Sequence, residues 1–543
     1  MELIYSFTVA LFLTIALIPL CIRIAPALGL MDTPDGARKT HARIIPRCGG
    51  LAMAIGVAAP LVFFLRAESH LLHLLLASLV VISFGLLDDR NNLNYKWKFL
   101  GQILAVLIVL NGGLVMHRVP LLGLNEAPDW LAYPLTFLFI LGVTNAVNLT
   151  DGLDGLAAGT TLIALATIVV FALQTENRES AFIALTVIGG LLGFLRYNTF
   201  PALVFMGDTG SQFLGFIAAC LSIQVTQADI SAISPVVPLL ILGLPVLDTL
   251  TVMSIRLAEG RSPFSPDRNH LHHQMIALGF RHNEAVAIIY LLQTALLGLA
   301  FVLRYAADSV LLLVYALFCV TLLSVLYCAR RRLWRFRKDH PEQPFIDRRN
   351  IFLRRLNWFY HRSSELVQLL LGVLLLTPLL SAGNHEIWWI SLVLTPVLLL
   401  TLVGYRRFPT WTTRLCIYSA SVICVYSITT DPQLTERLPI INIGFAVLAL
   451  VLALGIRMTR REHFRLDTQD LLILVMIIVA PLLPFSPTNQ QAIGEIALRL
   501  AVLMYSCEFI IGRSANKTLL PVNGIAILSV LLIAVLRGPV TFF

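Results

Sequence analysis

The chain is written in one recurring pattern: a run of about 20 apolar residues, the length a helix needs to cross a bilayer core, then a short polar break. Such runs cover 3–22, 49–66, 71–87, 99–115, 131–149, 157–173, 181–195, 210–226, 235–256, 284–303 and 309–328. After an interruption they resume at 364–381, 387–404, 413–430, 438–456, 470–484, 495–512 and 519–537. The pattern predicts an all-α, polytopic integral membrane protein of about 18 transmembrane helices, because backbone in lipid must satisfy its own hydrogen bonds and a barrel would show short alternating segments instead. One stretch departs from it. In NAVNLTDGLDGL, residues 145–156, the polar residues Asn145, Asn148, Asp151 and Asp154 recur every third position between two apolar runs. A carboxylate at mid-bilayer costs about 3 kcal/mol even on the lower scale. On an unbroken helix Asn145 and Asp154 would face opposite ways. Gly152 and Gly155 are therefore expected to break the helix, so that the polar line converges on one cavity.

Composition agrees with a membrane protein: 57% of residues are hydrophobic and 13% charged, with a mean hydropathy of +0.82. The net charge of +9 would suit nucleic acid, but its placement argues against that partner. Lys and Arg collect in alternate loops, as the positive-inside rule requires. With the N-terminus outside, the inner loops of the first half hold Arg38, Lys39, Arg43 and Arg47, then Arg90, Lys96 and Lys98, then Arg196, then Arg256, Arg261, Arg268 and Arg281. The outer loops hold isolated cases such as Arg118 and Arg304. The first run lacks a basic start and is expected to be a retained helix rather than a cleaved signal. The eight cysteines show no CxxC or metal spacing and are expected to be reduced packing residues.

Every acidic cluster of the first half falls in one of five inner loops: 31–50, 85–98, 145–156, 196–215 and 256–280. Asp88, Asp89, Asp151, Asp154 and Asp208, with Asn148, are hard oxygen ligands suited to Mg²⁺ or Mn²⁺, which keeps waters and bridges substrate phosphates. Lys39, Lys98, Arg261 and Arg268 suit phosphate oxygens. MGDTGS sets Asp208 between glycines at a helix start, where backbone can approach an anion closely. Each piece alone has a plainer reading. A DD pair caps a helix, MGDTGS forms a turn, and RKTH signals topology. HLHH offers zinc ligands, but no Cys is near, and His272 and His273 are expected to diverge on a helix. Together on one face, the loops point to a metal-bound diphosphate. The rival class, a transporter, would carry polar groups near mid-span in two matching halves; here they lie at one face of one half.

The segments DTPDGARKTH, GLLDDR, NAVNLTDGLDGLAAG, VFMGDTGSQFLG and GRSPFSPDRNHLHH occur in that order. With them the chain resembles the polyprenyl-phosphate N-acetylhexosamine-1-phosphate transferases, the superfamily that includes the phospho-MurNAc-pentapeptide translocase. The resemblance covers residues 1–328. It implies transfer of a sugar phosphate from a UDP-N-acetylhexosamine to undecaprenyl phosphate with release of UMP, in the bacterial cytoplasmic membrane and with the site facing the cytoplasm. It further implies Asp208 as metal ligand with Asn148 or Asp151, and catalytic roles among Asp88, Asp89, Asp151 and Asp208, with Asp88 toward the lipid phosphate. Asn198 and Phe205 match positions near uracil and ribose, and Asn145, Asp151 and Asp154 line the nucleotide pocket. Arg261, Arg268, His270, His272 and His273 hold diphosphate and sugar, and Lys39, His41 and Lys98 line the entrance. The text after the paired histidines resembles the branch that uses UDP-GlcNAc, ahead of GalNAc, a deoxy-amino sugar or MurNAc-pentapeptide as the transferred group. Whether the family's chemistry proceeds by direct attack or through a covalent aspartyl intermediate stays open at this level, as does a homodimer.

Residues 329–363 form the most basic stretch, read either as a surface helix against anionic membrane lipids or as a solvated loop. Residues 364–543 fall outside the resemblance and are expected to form an additional membrane domain. Their intramembrane charges Glu495, Arg499 and Glu508 are best read as mutually paired or at helix ends.

Overall fold

The structure, a computed structural model, describes residues 2–32, 44–64, 69–119, 126–227, 231–262, 265, 269–331, 357–380, 395, 409–430, 432–458, 499–500, 502–507, 509–511 and 520–536. The chain divides into two compact units, one built on Met1–Pro341 and the other on residues after it. The protein is a mostly helical, polytopic membrane protein. Among the described residues ten helices are long and apolar enough to cross a membrane. Apart from residue 395, the expected spans 387–404 and 470–484 lie outside the described residues.

The first unit runs α1 (Glu2–Leu28), β1 (Met31–Asp32), β2 (Ile45–Pro46), α2 (Gly49–Phe64), α3 (Ser69–Asn91), α4 (Tyr95–Asn111), α5 (Asp129–Thr150), α6 (Leu156–Gln174), α7 (Arg178–Asn198), α8 (Gly207–Gln227), α9 (Val237–Ile241), α10 (Gly243–Ala258), α11 (Leu271–Ala277), α12 (His282–Val302) and α13 (Asp308–Arg331). The central post is α8, 94% of whose membrane window is buried. It is packed by α2, α3, α5 and α6, while α1 lies along α7. Small residues make that possible: a Cβ built on Gly85 of α3 would lie 2.6 Å from the Cα of Thr209 on α8. Helices in lipid associate through such close backbone approach. β1 and β2 form a two-residue antiparallel ribbon, Met31 opposite Pro46 and Asp32 opposite Ile45.

Two breaks matter for the site. The helix preceding Asp151 stops at Thr150 and α6 begins at Leu156, with Gly155 at φ +78°, where the glycines were expected to interrupt it. The run 235–256, expected as one span, is instead two helices meeting at Leu242. The carbonyls at that break find side-chain donors: Gln293 Nε2 donates to Ile241 O at 2.7 Å, and Tyr315 Oη donates to Gly243 O at 2.9 Å. Irregular backbone at membrane depth persists where neighbouring helices supply the missing hydrogen bonds. All eight cysteines are free, and six of them are buried.

The second unit contains helices Asn357–Leu375, Pro409–Thr430, Leu438–Met458 and Leu520–Leu536, around a core that includes Leu371, Ile417, Cys424, Leu448, Phe509 and Val530. Glu495 and Glu508 lie outside the described residues. Arg499 is buried and donates to Asn442 Oδ1 at 3.0 and 3.3 Å.

Candidate active site

The loops between α3 and α4, α5 and α6, α7 and α8, and α10 and α12 converge at one end of the first unit. Asp88 lies in the last turn of α3, and Lys98 in the first turn of α4. The tight turn between them, with Asn92 at φ +48°, folds the lysine back. Lys98 Nζ stands 2.6 Å from Asp88 Oδ2 and 2.5 Å from Asp208 Oδ2. One ammonium thus bridges two carboxylates that are far apart in sequence. Gln212 Nε2 donates to Asp208 Oδ2 at 3.3 Å and accepts, through Oε1, from Gln102 Nε2 at 3.0 Å. Asn148 Nδ2 donates to Ser211 Oγ at 2.8 Å, one turn past Asp208 on α8. Asn145, a turn back on α5, is half-buried.

Asp89 has a different position from its neighbour. Its carboxylate accepts from Asp208 N at 2.8 Å, Thr209 N at 3.0 Å and Thr209 Oγ1 at 2.6 Å. It closes the open N–H groups at the start of α8 from another helix, the task a side chain at the helix's own N-cap usually performs. Asp89, expected among the catalytic carboxylates, here holds the backbone of Asp208 at the start of α8. This is also why glycine precedes Asp208. Gly207 has φ +71°, and a Cβ there would meet the Asp89 carboxylate at 2.4 Å. Gly207→Ala is expected to cost at least about 1 kcal/mol from backbone conformation alone, and more from displacement of Asp89. A lowered melting temperature with much-reduced activity is the expected reading; wild-type values for both would contradict the clamp.

The turn Asp151–Gly155 is held from below. Gly155 N donates to Asn198 Oδ1 at 2.9 Å, Asn198 Nδ2 donates to Val204 O at 2.9 Å, and Tyr290 Oη donates to Gly155 O at 2.6 Å. Asn198, expected beside the base, is buried, and both ends of its amide are engaged by backbone. Asp154 accepts from Ala202 N at 2.9 Å, and its carbonyl lies 3.3 Å from His282 Nε2, whose ring stacks on Phe200 at 4.2 Å. Asp154 therefore fastens the 199–204 loop. Phe205 is half-buried, and its backbone bonds to Pro46 and Gly49, bringing the end of the first loop to the site. Arg47 there bonds Asp32, and Asn92 Oδ1 at 3.2 Å. The Asp151 carboxyl is pushed up to about 7, first by burial and then by the charges of Asp208, Asp89 and Asp154.

His270, His272 and His273 cluster at the start of α11. The rings of His272 and His273 do not diverge; their centroids are 4.2 Å apart. His272 is buried, and its Nε2 would lie 2.1 Å from a Cβ built on Gly152. Burial, then the neighbouring imidazoles, lower its pKa to about 3, so it stays neutral. Arg261 is exposed, and its Nε bonds Glu259 Oε2 at 2.8 Å. Lys39, His41 and Arg268 lie outside the described residues. Sequence reasoning missed Asp248, Gln102, Gln212 and Tyr290. A signal existed for Asp248, a lone carboxylate in an apolar run.

Among the described residues no three His, Cys, Asp or Glu side chains are already drawn together as a ligand cage. Mg²⁺ does not require one, since it takes one or two carboxylates and completes its shell with water and substrate phosphate. The donor set fits such an ion. Asp88 Oδ1 is buried without a hydrogen-bond partner, and the Asp88 and Asp208 carboxylates share the ammonium of Lys98.

Buried carboxylates, a bridging lysine and a helix start, at one end of a membrane-spanning bundle, define a membrane-embedded enzyme site for a phosphorylated substrate. Residues 71–226 match the family described as Glycosyl transferase family 4. The chain is 41% identical over 295 residues to a Bacillus subtilis (strain 168) protein named probable undecaprenyl-phosphate N-acetylglucosaminyl 1-phosphate transferase, covering 54% of this chain and 82% of the relative. A Yersinia pestis undecaprenyl-phosphate alpha-N-acetylglucosaminyl 1-phosphate transferase is 30% identical over 378 residues, 67% of this chain and 98% of the relative. A decaprenyl-phosphate N-acetylglucosaminephosphotransferase of Mycobacterium tuberculosis (strain ATCC 25618 / H37Rv) is 33% identical over 305 residues, 49% of this chain and 74% of the relative. The chain belongs to the polyprenyl-phosphate N-acetylglucosamine-1-phosphate transferase family.

Proposed function

We propose that this protein transfers N-acetylglucosamine 1-phosphate from UDP-N-acetylglucosamine to undecaprenyl phosphate, releasing UMP, as the first membrane step of a cell-surface polysaccharide pathway. The observation that carries this reading is the Asp88–Lys98–Asp208 bridge, built at a helix start of a membrane bundle whose relatives bear that activity. A lipid-phosphate oxygen attacks the β-phosphorus of the donor. The new bond joins that oxygen to the β-phosphorus, and the bond to the bridging oxygen breaks, leaving UMP with the electron pair. The second pKa of a phosphate is near 6, so the nucleophile is largely ionised without a strong base. Transfer of this kind depends mostly on positioning and charge neutralisation, and direct attack is the form we favour. Lys98 supplies fixed positive charge, Asp89 aims Asp208, and Asn198 with Tyr290 hold the turn that carries Asp151. Asp208, Asn148 and Asp151, joined by Asp88, would hold Mg²⁺ or Mn²⁺. Such an ion, when bound, neutralises diphosphate oxygens. The test is UMP release from UDP-N-acetylglucosamine by purified protein: it is expected to require undecaprenyl phosphate and a divalent cation, and activity with neither would overturn the reading.

The site is proposed to face the cytoplasm of the bacterial inner membrane, with the N-terminus outside, on the distribution of Lys and Arg. Cysteines introduced at exposed positions Asn92 and Phe200 are expected to resist membrane-impermeant thiol reagents in intact cells and to react after lysis. Ready labelling of either in intact cells would place the site on the other face.

Residues 1–328 supply every site residue named above, and residues 364–543 are proposed to be a separate membrane domain. A chain ended at Pro341 is expected to keep transferase activity, with some loss of yield because packed neighbours stabilise membrane helices. A well-folded but inactive truncation would show that the later residues complete the site.

A further inference from the structure

We infer that Asp248 is a positioning residue for the transfer, fixing the ring and tautomer of His270 so that its Nε2 is presented to the donor. The inference rests on the transferase reading above. Asp248 lies on α10 and is nearly buried, as is His270, with side-chain exposures of 11% and 7%. Its two oxygens do separate jobs. Oδ2 lies 2.9 Å from His270 Nδ1, and Oδ1 accepts from Leu271 N at 2.7 Å. One carboxylate therefore sets both the ring and the backbone at the start of α11, removing two degrees of freedom from the same histidine.

A carboxylate acceptor requires the proton on Nδ1 and leaves Nε2 as the ring nitrogen available to a ligand. The ring also stands beside the loop cluster of the proposed site. The His270 ring stacks on His272, with centroids 5.8 Å apart and planes within 10°. His272 in turn lies against Gly152, next to Asp151. The row Asp248, His270, His272, Gly152 thus runs from α10 to the turn between α5 and α6, in the loop cluster that holds the carboxylates. The post itself is firm. The helix break ahead of α10 is tied by Gln293 and Tyr315, so Asp248 projects from an anchored segment.

The experiment is a double-mutant cycle on the full-length protein in lipid nanodiscs, using UDP-N-acetylglucosamine and undecaprenyl phosphate. Asp248→Asn cannot accept from Nδ1–H and from Leu271 N at once, and is expected to lower kcat/KM on the order of 10–100-fold, as loss of an orienting partner does. In a His270→Gln background the same change is expected to cost less than about 2-fold, because residues that act as one unit are not additive. Multiplicative losses in the double variant, or full activity of Asp248→Asn, would overturn the inference. A second measurement does not depend on the donor. In protein labelled with ¹⁵N-histidine, His270 is expected to carry its proton on Nδ1 in the wild type and to lose that preference in Asp248→Asn. A wild-type Nε2–H tautomer would overturn the assignment even if the variants lost activity through misfolding. Absence of wild-type turnover would sink the transferase reading instead, while the ¹⁵N spectrum would still decide the role of Asp248.

Discussion

Asp208→Asn is expected to abolish nearly all sugar-phosphate transfer while leaving the protein inserted and folded. Asp208 begins the most buried helix of the first unit and receives Lys98 at 2.5 Å and Gln212 at 3.3 Å. Its backbone N–H is held by Asp89 at 2.8 Å, so the side chain is aimed from both ends. Asparagine keeps the shape and can still accept from Lys98, which is why folding should survive. It removes the negative charge that balances Lys98 and that a divalent cation beside a diphosphate would need. Removal of one preorganised electrostatic group commonly costs 10²–10³-fold, and removal of a charged metal ligand is expected to reach at least that, roughly 10³-fold. Single-turnover rates with saturating donor and lipid phosphate measure it. Activity within about tenfold of wild type would mean that Asp208 is not the organising carboxylate.

Lys98→Met is expected to lose both activity and stability, which separates it from the first variant. The lysine bridges Asp88 and Asp208, whose side chains are 7% and 24% exposed. Without it two carboxylates face one another with no cation between them. Breaking a buried ion pair from one side costs about 3–5 kcal/mol; with Lys98 30% exposed, the lower end, about 3 kcal/mol, is the expected loss. Adding Asp88→Asn to Lys98→Met removes one of the two like charges and is expected to restore part of the melting temperature, but not the activity. Residues in contact show such coupling. An unchanged melting temperature for Lys98→Met, or no recovery in the double variant, would show that the bridge does not stabilise the helix end.

Much of this protein is present in one dimension. The 20-residue apolar rhythm, set by bilayer thickness, determined a helical membrane protein whatever the tertiary detail. The placement of Asp, Asn, Lys and His between the runs determined which loops carry the chemistry, because polar groups at membrane depth persist only where something pairs with them. Glycine spacing located the break at 151–155.

Only the tertiary structure decided which carboxylate does what. Asp88 and Asp89 are adjacent and chemically identical, yet one meets Lys98 and the other closes the start of α8. Successive residues near a helix end point about 100° apart, so Asp88 meets Lys98 across the turn to α4 while Asp89 meets the start of α8, 119 positions away. Asn198 and Asp154 also bond backbone, a role sequence spacing does not reveal, because a loop in an apolar surround needs its own donors and acceptors satisfied. The split of 235–256 into α9 and α10 was invisible for the same reason, since the groups that tolerate it, Gln293 and Tyr315, arrive from later helices. Asp248 shows both sides. Its chemistry was legible as a charge within an apolar run, but its purpose depends on His270, 22 residues further on, folding back against it.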